Sequence, residues 1–491
     1  MSDPYSSIVL MGFGNIGQAL SSLLRMRFMK TRIVVIDAQM DAAQIAIASH
    51  YGFDCVRRRI TPDNYIATLA PYLGSRTLYL NLATSIGSRD VIAWTQAVGA
   101  DYLDTCIDPW EYQDGVTHSA ENTNYAMRET VLALAHTARR AGRVPRASAL
   151  VGHGANPGFV SILVKEGLLR MQQQFLHSDA TPRSQAEWAT LACALGVRVI
   201  QISEKDTQAS TRPRAPGEFA NTWSVDGYVA EALQPAELGW GTHEESGPLA
   251  DRVGRHASGC QAAVYVREMG VRCHVKSWAP RAGNFIGNLI SHNEAISLAD
   301  YLTLHDANGA ACYRPTAYYA YHPAQDAHDS LTLLAGGNRS QIRSTRVMKD
   351  EIDSGIDELG VLLLSDRFEG LWIGSQLSIE RAREMAPHNN ATSLQVVGSI
   401  MAGIEYVLAS APLGIVESEQ LDHAFLFQHA KPYWAPMVCT FHAWHPAGAR
   451  TGAAAWTLDQ FLSIQRAGQS ADSAHAVDAR CKAEVDLGLA Q

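Results

Sequence analysis

Hydrophobic residues in the first third of the chain form short continuous runs that alternate with segments of helical spacing. The runs lie at residues 8–11, 32–36, 53–56, 77–82, 100–106 and 147–151, and helical spacing follows most of them, as at 42–51, 91–98 and 126–141. Strands that are apolar throughout are typical of a parallel sheet covered by helices on both faces. The pattern predicts an α/β fold with a doubly wound parallel sheet.

The pattern changes from about residue 160. Helical segments at 160–176 and 185–195 precede strand-like runs that no longer alternate strictly with helices. Residues 361–365 and 368–377 have the pattern of a hairpin, so a second α+β domain with a mainly antiparallel sheet is predicted. Helical spacing returns at 390–408, and we expect that helix to pack against the first domain.

A glycine-rich turn follows the first predicted strand. Gly12, Gly14 and Gly17 form G-x-G-x-x-G. In dinucleotide-binding folds these glycines permit a tight turn, close approach to a pyrophosphate, and packing of the helix on the strand. Asp37 ends the second strand, where a carboxylate would accept a hydrogen bond from the ribose of NAD and repel the 2′-phosphate of NADP. A Rossmann-type NAD-binding domain is therefore predicted.

Composition narrows the classes of partner. A chain of 491 residues needs more than one core, and its net charge of −9 disfavours nucleic acid and is compatible with a small cationic substrate. The best candidate for a membrane span, residues 396–416, contains Glu405 and Pro412, so no membrane partner is expected. The N-terminus lacks a signal-peptide pattern, and the eight cysteines form no C-x-x-C pair. These features predict a cytoplasmic protein with reduced thiols.

Polar residues follow several strands of the first domain. Because ligands bind outside the carboxyl ends of parallel strands, residues 82–85, 104–110 and 153–157 are expected to face the cofactor. His442 and His445, three residues apart, are the best candidates for a metal site. They lack a third ligand, so no metal is predicted.

Acidic and aromatic residues in the second half are further candidates. Glu204 follows a predicted strand, Trp223 follows a loop, and Glu231 falls in a predicted helix. His292 and Glu294 begin another helical segment. From the residues alone, Trp223 is equally well explained as a core residue, and Glu231 as part of a solvated helix face.

Longer sequence blocks are more specific. They lie at residues 155–158, 204–208, 221–225, 233–242, 292–294, 318–323, 355–363 and 374–380, within a match that runs in order from about residue 8 to 446. These blocks resemble the bacterial homospermidine synthases, which belong to the saccharopine dehydrogenase-like group. The resemblance excludes the tail.

The resemblance implies an NAD-dependent reaction without net oxidation. Putrescine would be oxidised to an imine, ammonia would be lost, and a second putrescine would condense. The retained NADH would then reduce the new imine to homospermidine. Other diamines or polyamines are possible substrates, and a homodimer is expected.

The resemblance also assigns roles to seven catalytic residues. Trp223 would offer its ring to a substrate ammonium through a cation–π contact. Glu231 and Glu204 would hold ammonium groups and relay protons. Asn156 and the pair His292 and Glu294 would bind the inner amine, and Asp108 would lie near the mouth of the pocket.

Cofactor contacts are expected from the glycine turn and from the loops after the strands. The residues are Gly12, Gly14, Asn15, Ile16, Gly17, Asp37, Thr61, Asn81, Ala83, Thr105, Ala155 and Pro157. Four regions follow: an NAD-binding domain at 1–156, a substrate-binding and dimerisation domain at 157–388, a segment at 389–466 that returns to the first domain, and a loosely packed tail at 467–491.

The chain departs from the family pattern near the expected pocket mouth. Asp108-Pro109-Trp110 replaces a Glu-Pro-Trp sequence, and residues 83–86 lack the acid that the family carries there. The preference between putrescine and longer polyamines is therefore open. Two alternatives remain: a saccharopine-type or carboxy-polyamine dehydrogenase, which would need an arginine clamp for a carboxylate, and a non-catalytic NAD-binding scaffold.

Overall fold

The structure is a computed structural model that describes residues 4–111, 120, 123–247, 249–446 and 456–464. The predicted tail at 467–491 lies outside the described residues. The first strands are β1 (Ser7–Met11), β2 (Arg32–Asp37), β3 (Asp54–Arg57), β4 (Thr77–Asn81), β5 (Asp101–Asp104) and β6 (Ser148–Val151). The helices among them are α1 (Asn15–Arg27), α2 (Ala42–His50), α3 (Tyr65–Leu69), α4 (Ser88–Val98) and α5 (Asn124–Arg140).

The later strands are β7 (Val197–Asp206), β8 (Ala209–Ser210), β9 (Glu218–Asn221), β10 (Pro235–Gly239), β11 (Val253–Arg255), β12 (Ala263–Met269), β13 (Cys273–Ala279), β14 (Gly283–Ile290), β15 (Leu304–His305), β16 (Ala311–Tyr313), β17 (Thr316–His322), β18 (Ser344–Val347), β19 (Ile352–Ser354), β20 (Ile356–Ser365), β21 (Gly370–Ser378), β22 (Gly414–Glu417), β23 (Met437–His442) and β24 (Leu462–Ile464). The later helices are α6 (Phe159–Met171), α7 (Gln185–Ala194), α8 (Val225–Leu233), α9 (Asn293–Tyr301), α10 (Gln325–Ser330), α11 (Ile379–Met385), α12 (Ala391–Ala409) and α13 (His423–Trp434).

The first sheet has seven strands in the described residues, in the order β22-β6-β5-β4-β1-β2-β3. Every pairing in it is parallel. The strand order reverses direction between β1 and β4, which is where such sheets open a crevice for a ligand. The predicted doubly wound parallel sheet is confirmed.

The second sheet is mixed and mostly antiparallel, as predicted. Its main path in the described chain is β11-β12-β10-β17-β7-β20-β21-β23, with β13, β14 and β24 alongside. The pairing of β17 with β7 is parallel, whereas β7 and β20 form a long antiparallel pair. One detail of the sequence interpretation is wrong: Glu204 lies inside β7 and does not follow it, because the strand continues past its apolar run to Asp206.

The C-terminal segment contributes to both halves of the molecule. Strand β22 pairs with β6 at the edge of the parallel sheet, and β23 pairs with β21 in the second sheet. Helix α12 packs against α13 and α1. It is long and apolar enough to span a membrane, but 78% of its most apolar window is buried inside the protein, as expected of a core helix. The exact domain bounds stay a prediction.

Candidate active site

The glycine turn between β1 and α1 has the geometry of a phosphate-binding loop. Gly12 has a φ of +88°, and a Cβ added to it would lie 2.8 Å from the backbone nitrogen of Ala83. A Cβ on Gly17 would lie 2.6 Å from the carbonyl oxygen of Gly12. A Cβ on Gly14 would meet nothing within 4 Å, so the backbone at the start of α1 faces open space. The turn therefore fits a dinucleotide pyrophosphate.

Asp37 is fixed beside this turn. Its Oδ2 atom accepts a hydrogen bond of 2.7 Å from the backbone N–H of Phe13, and its Oδ1 atom accepts one of 3.0 Å from that of Gln39. The carboxylate is only partly buried. It thus lies at the end of β2, where the adenosine ribose of a dinucleotide is bound in this fold.

Most of the other predicted cofactor residues lie in loops at the same edge of the sheet. Thr61, Asn81, Ala83, Thr105, Ala155 and Pro157 lie at or shortly after the ends of β3, β4, β5 and β6. Two residues of the turn differ in what their side chains contact. The side chain of Ile16 packs against the core, which leaves its backbone N–H as the group available to a ligand. Asn15 donates through Nδ2 to the carbonyl oxygen of Thr222, 3.3 Å away, and so joins the turn to the second domain.

The prediction that the whole segment 153–157 faces the cofactor is wrong for His153. Its ring is fully buried, with Nδ1 2.8 Å from the hydroxyl of Ser418 and Nε2 3.1 Å from the carbonyl oxygen of Ser399. Burial lowers the pKa of His153 to about 4, so the ring is neutral. Gly403 of α12 makes room for it, because a Cβ there would lie 2.5 Å from the ring.

A cavity of about 300 Å³ lies next to the carboxyl ends of β4 and β5. Its walls come from the loops of the first domain, from α8 and from the beginning of α9. Three of the predicted catalytic residues line it directly: Asp108, Glu231 and His292. The predicted cofactor residue Pro157 also lines it, so the cavity adjoins the loops expected to hold the cofactor. Both domains therefore contribute to one site.

His292 lies between two carboxylates. Its Nδ1 atom is 3.1 Å from Oε1 of Glu294, and its Nε2 atom is 3.3 Å from Oε2 of Glu231. Burial alone would lower the pKa of His292, but the two facing carboxylates together raise it well above the ordinary value. The imidazole is therefore held as a cation, and it partly neutralises Glu231 on the cavity wall.

Glu204 and Asn156 form a second group behind His292. Asn156 donates through Nδ2 to Oε2 of Glu204 over 3.1 Å, and the Tyr319 hydroxyl donates to the same oxygen over 2.7 Å. The Tyr319 ring packs on the ring of His292 at a centroid distance of 4.4 Å, which connects this group to the cavity wall. Burial, together with the nearby carboxylate of Asp206, raises the pKa of Glu204 to about 8, although the hydrogen bonds from Tyr319 and Asn156 lower it.

Trp223 is half-buried and is not among the residues that line the cavity in the described part of the chain. Its Nε1–H donates to the hydroxyl of Tyr321 over 3.2 Å, and its ring centroid is 5.6 Å from that of Tyr228. A Cβ added to Gly227, which does line the cavity, would lie 3.1 Å from the Trp223 ring. The indole thus lies one contact away from the cavity, in an aromatic group shared with the core.

Asp108 occupies the wall formed by the first domain. Its Oδ2 atom accepts a hydrogen bond of 3.2 Å from the backbone N–H of Ser85, and only 6% of the residue is exposed. The loop that carries Ser85 is the one in which the sequence lacks an acid, so this wall contributes one carboxylate to the cavity.

Sequence reasoning gave no role to several residues that shape the site. They are Tyr319, Tyr321, Tyr228, Asp226 and Arg339. The aromatic run at 318–321 on an otherwise buried strand was the available signal for the tyrosines. For Asp226 the signal was its place five residues before Glu231 in one helix. Nothing local identified Arg339.

The histidine pair at 442 and 445 has no geometry for metal binding. His442 is the last residue of β23 and His445 lies beyond it, so no shared helical face relates the two rings. In the described residues there is no group of three or more His, Cys, Asp or Glu side chains that could hold a metal ion.

Comparison with known proteins finds relatives over almost the whole chain. The family model described as the saccharopine dehydrogenase NADP binding domain matches residues 8–144, and that described as the saccharopine dehydrogenase C-terminal domain matches residues 154–437. The homospermidine synthase of Blastochloris viridis is 41% identical over 452 residues, which cover 91% of this chain and 93% of that protein. The homospermidine synthase of Mesorhizobium japonicum is 36% identical over 463 residues, with 92% and 94% covered.

A solved structure agrees with these relatives. The homospermidine synthase of Legionella pneumophila, crystallised in complex with NAD, is 36% identical and has a TM-score of 0.84. The match covers 94% of this chain and 98% of that chain. The resemblance of the sequence blocks is thus confirmed: the chain belongs to the homospermidine synthase family, within the saccharopine dehydrogenase group.

Proposed function

We propose that this protein converts two molecules of putrescine into homospermidine and ammonia, with NAD as a retained hydride carrier. The observation that carries the proposal is a single cavity, lined by acidic residues, beside a glycine turn that fits a dinucleotide. When bound, NAD supplies the hydride acceptor and then the hydride donor. Its nicotinamide end would reach the cavity past Pro157, and Asp37 would select NAD over NADP.

The charges on the cavity wall suit a dicationic substrate. Glu231 and Asp108 line the cavity as carboxylates, and each would hold a distal ammonium group while the reacting amine is neutral. His292, held as a cation by Glu231 and Glu294, lowers the negative charge at the inner end. This arrangement would place the uncharged, reacting amine inside and the charged ends outside.

Proton transfer falls to Glu204. The chemistry needs a deprotonated nitrogen at the carbon that loses hydride, since the lone pair on that nitrogen expels it. A carboxyl group with a pKa of about 8 is closer in pKa to a substrate ammonium than an ordinary carboxyl group is, so its ionised form is the stronger general base for taking that proton. Asn156 and Tyr319 both donate to Oε2 of Glu204, and so they hold the carboxylate in place for this exchange.

Trp223 is proposed as a cation–π seat for the central part of the substrate. Its Nε1–H is anchored on Tyr321, which fixes the plane of the ring beside Gly227 on the cavity wall. The face of an indole attracts an ammonium more strongly than the face of any other aromatic side chain. The Trp223 ring is separated from the cavity by Gly227, in the first turn of α8. A shift of that helical turn would therefore have to accompany substrate binding.

The remaining expectations concern the whole protein. We expect a cytoplasmic homodimer without nucleic-acid or membrane partners, as the family resemblance and the net charge of −9 suggest. A dehydrogenase for amino-acid substrates is less favoured. In the described part of the chain, Arg339 is the one arginine on the cavity wall, and it is paired with Asp226.

The experiment that tests this function is product detection. Purified protein would be incubated with putrescine and a catalytic amount of NAD, and homospermidine and ammonia would be measured by mass spectrometry and a coupled assay. Equal amounts of homospermidine and ammonia without accumulating NADH are expected. NADH accumulation without homospermidine would indicate a simple dehydrogenase. The absence of any turnover would favour the alternative of a non-catalytic NAD-binding scaffold.

A further inference from the structure

Helix α8 presents two acids to the cavity at different depths. Asp226, in its first turn, and Glu231, near its end, both line the cavity wall. They are five residues apart, which is about 7.5 Å along the helix axis. The Glu231 side chain is 22% exposed and contacts His292, whereas the Asp226 side chain is 72% exposed, so Asp226 marks the outer end.

Asp226 is paired with an arginine from a distant part of the chain. Nη1 of Arg339, in the loop before β18, is 3.2 Å from Oδ1 of Asp226. Arg339 also lines the cavity. The Asp226 side chain is 72% exposed and that of Arg339 is 43% exposed, so both groups are accessible to solvent and to a ligand.

An arginine on the wall of a cavity for cations needs an explanation. Its charge repels an incoming diamine unless an acid neutralises it. Exposed ion pairs contribute little free energy, because water screens the attraction and both side chains lose freedom. The bond between Arg339 and Asp226 is therefore easily exchanged for a bond from another cation.

The opposite wall carries one carboxylate, which is less accessible to solvent than that of Asp226. Asp108 is almost fully buried and accepts the backbone N–H of Ser85, and residues 83–86 contain no acid. Among the residues that line the cavity, Asp226 is the exposed carboxylate.

We propose that Asp226 is the outer ammonium seat of the site and that Arg339 is its built-in competitor. The terminal ammonium of the second diamine, or of the triamine product, displaces the Arg339 guanidinium from Asp226. When product leaves, Arg339 returns. The inference rests on the proposed polyamine chemistry and adds to it a pair of residues that sets the affinity for the outer amine.

The proposal predicts opposite effects for the two partners. Arg339→Gln removes the competitor, so the KM for putrescine should fall about threefold to fivefold, the range of an exposed charge pair, and inhibition by homospermidine should tighten similarly. Asp226→Asn removes the seat and leaves Arg339 unpaired, so KM should rise by at least the same factor. The double variant should lie between Asp226→Asn and the parent.

A merely structural ion pair makes a different forecast, namely that both single variants raise KM together. The matched control is Arg343→Gln, which removes an exposed arginine from the same loop that does not line the cavity in the described structure; KM should not change. A second readout uses n-butylamine as the acceptor amine, because it lacks an outer ammonium. The kinetics of condensation with n-butylamine should therefore be the same in Asp226→Asn as in the parent.

The measurement is steady-state kinetics with mass-spectrometric detection of product, for the parent and the four variants. Opposite shifts for Arg339→Gln and Asp226→Asn, absent with n-butylamine, would support the proposal. If the parent makes homospermidine but both variants shift KM in the same direction, or neither shifts it, the proposal is overturned. A parent that makes no homospermidine would instead refute the proposed function.

Discussion

Removal of the His292 cation gives a sharp test of the electrostatics of the site. We consider His292→Leu, which leaves the neighbouring carboxylate of Glu294 without its partner. The Glu294 side chain is only 1% exposed, and its Oε2 atom has no hydrogen-bond partner among the described residues. Loss of one partner from a buried ion pair typically costs about 3–5 kcal/mol. The free energy of unfolding should fall by that order, and turnover should be lost.

A double variant separates charge from packing. His292→Leu with Glu294→Met replaces both members of the pair by apolar side chains of similar volume, which is often neutral for stability. It should recover most of the lost stability and none of the lost turnover. The assay is urea unfolding at pH 7 with the apoprotein, followed by tryptophan fluorescence, beside product detection for each variant.

The reasoning would be refuted if His292→Leu unfolded at the same urea concentration as the parent. That result would mean that Glu294 is not held as a buried anion by His292. Equal destabilisation in the single and double variants would also contradict it, since the loss would then come from the volume of the ring and its packing on Tyr319.

Three further predictions follow from the site. Trp223→Ala should lower kcat/KM roughly tenfold or more, and Trp223→Phe should keep part of the activity, because a smaller π face remains; equal activity of parent and Trp223→Ala would exclude the ammonium seat. Glu204→Gln should abolish turnover and raise the melting temperature. The raised pKa of Glu204 means that ionisation of this group opposes folding of the parent. The melting temperature of Glu204→Gln should therefore exceed that of the parent by an amount that grows from pH 5 to pH 8 and then levels off. If thermal-shift scans gave a melting-temperature difference that stayed constant or shrank over this pH range, the raised pKa of the buried Glu204 carboxyl group would be contradicted. Asp37→Ser should narrow the preference for NAD over NADP in calorimetry, and an unchanged preference would remove Asp37 from cofactor selection.

The parallel sheet and the glycine turn were predictable because their signals are local. A buried parallel strand must be apolar along its whole length, and the clash of a Cβ at Gly12 or Gly17 with backbone requires glycine there. The sequence blocks that resemble homospermidine synthases then identified the candidate catalytic residues. The structure brings Asp108, Glu231 and His292 to one cavity wall, as an active-site interpretation requires.

The rest depends on contacts between distant parts of the chain. Tyr319 reaches Glu204 only because β17 pairs in parallel with β7, across 115 positions of sequence. Arg339 and Asp226 are 113 positions apart and lie on a loop and a helix with no shared pattern. His153 follows a strand of the parallel sheet but is covered by α12. Local sequence does not reveal which distant helix packs on it.

The central claim is that one bound cofactor both removes and returns the hydride. The most direct test uses putrescine deuterated at both carbons next to nitrogen, with NAD and a large excess of unlabelled NADH in solution. If the cofactor is retained, each homospermidine molecule should keep the full deuterium content of the two substrates from which it forms. Homospermidine that lacks one deuterium in most molecules would show exchange with the free pool and would contradict the account.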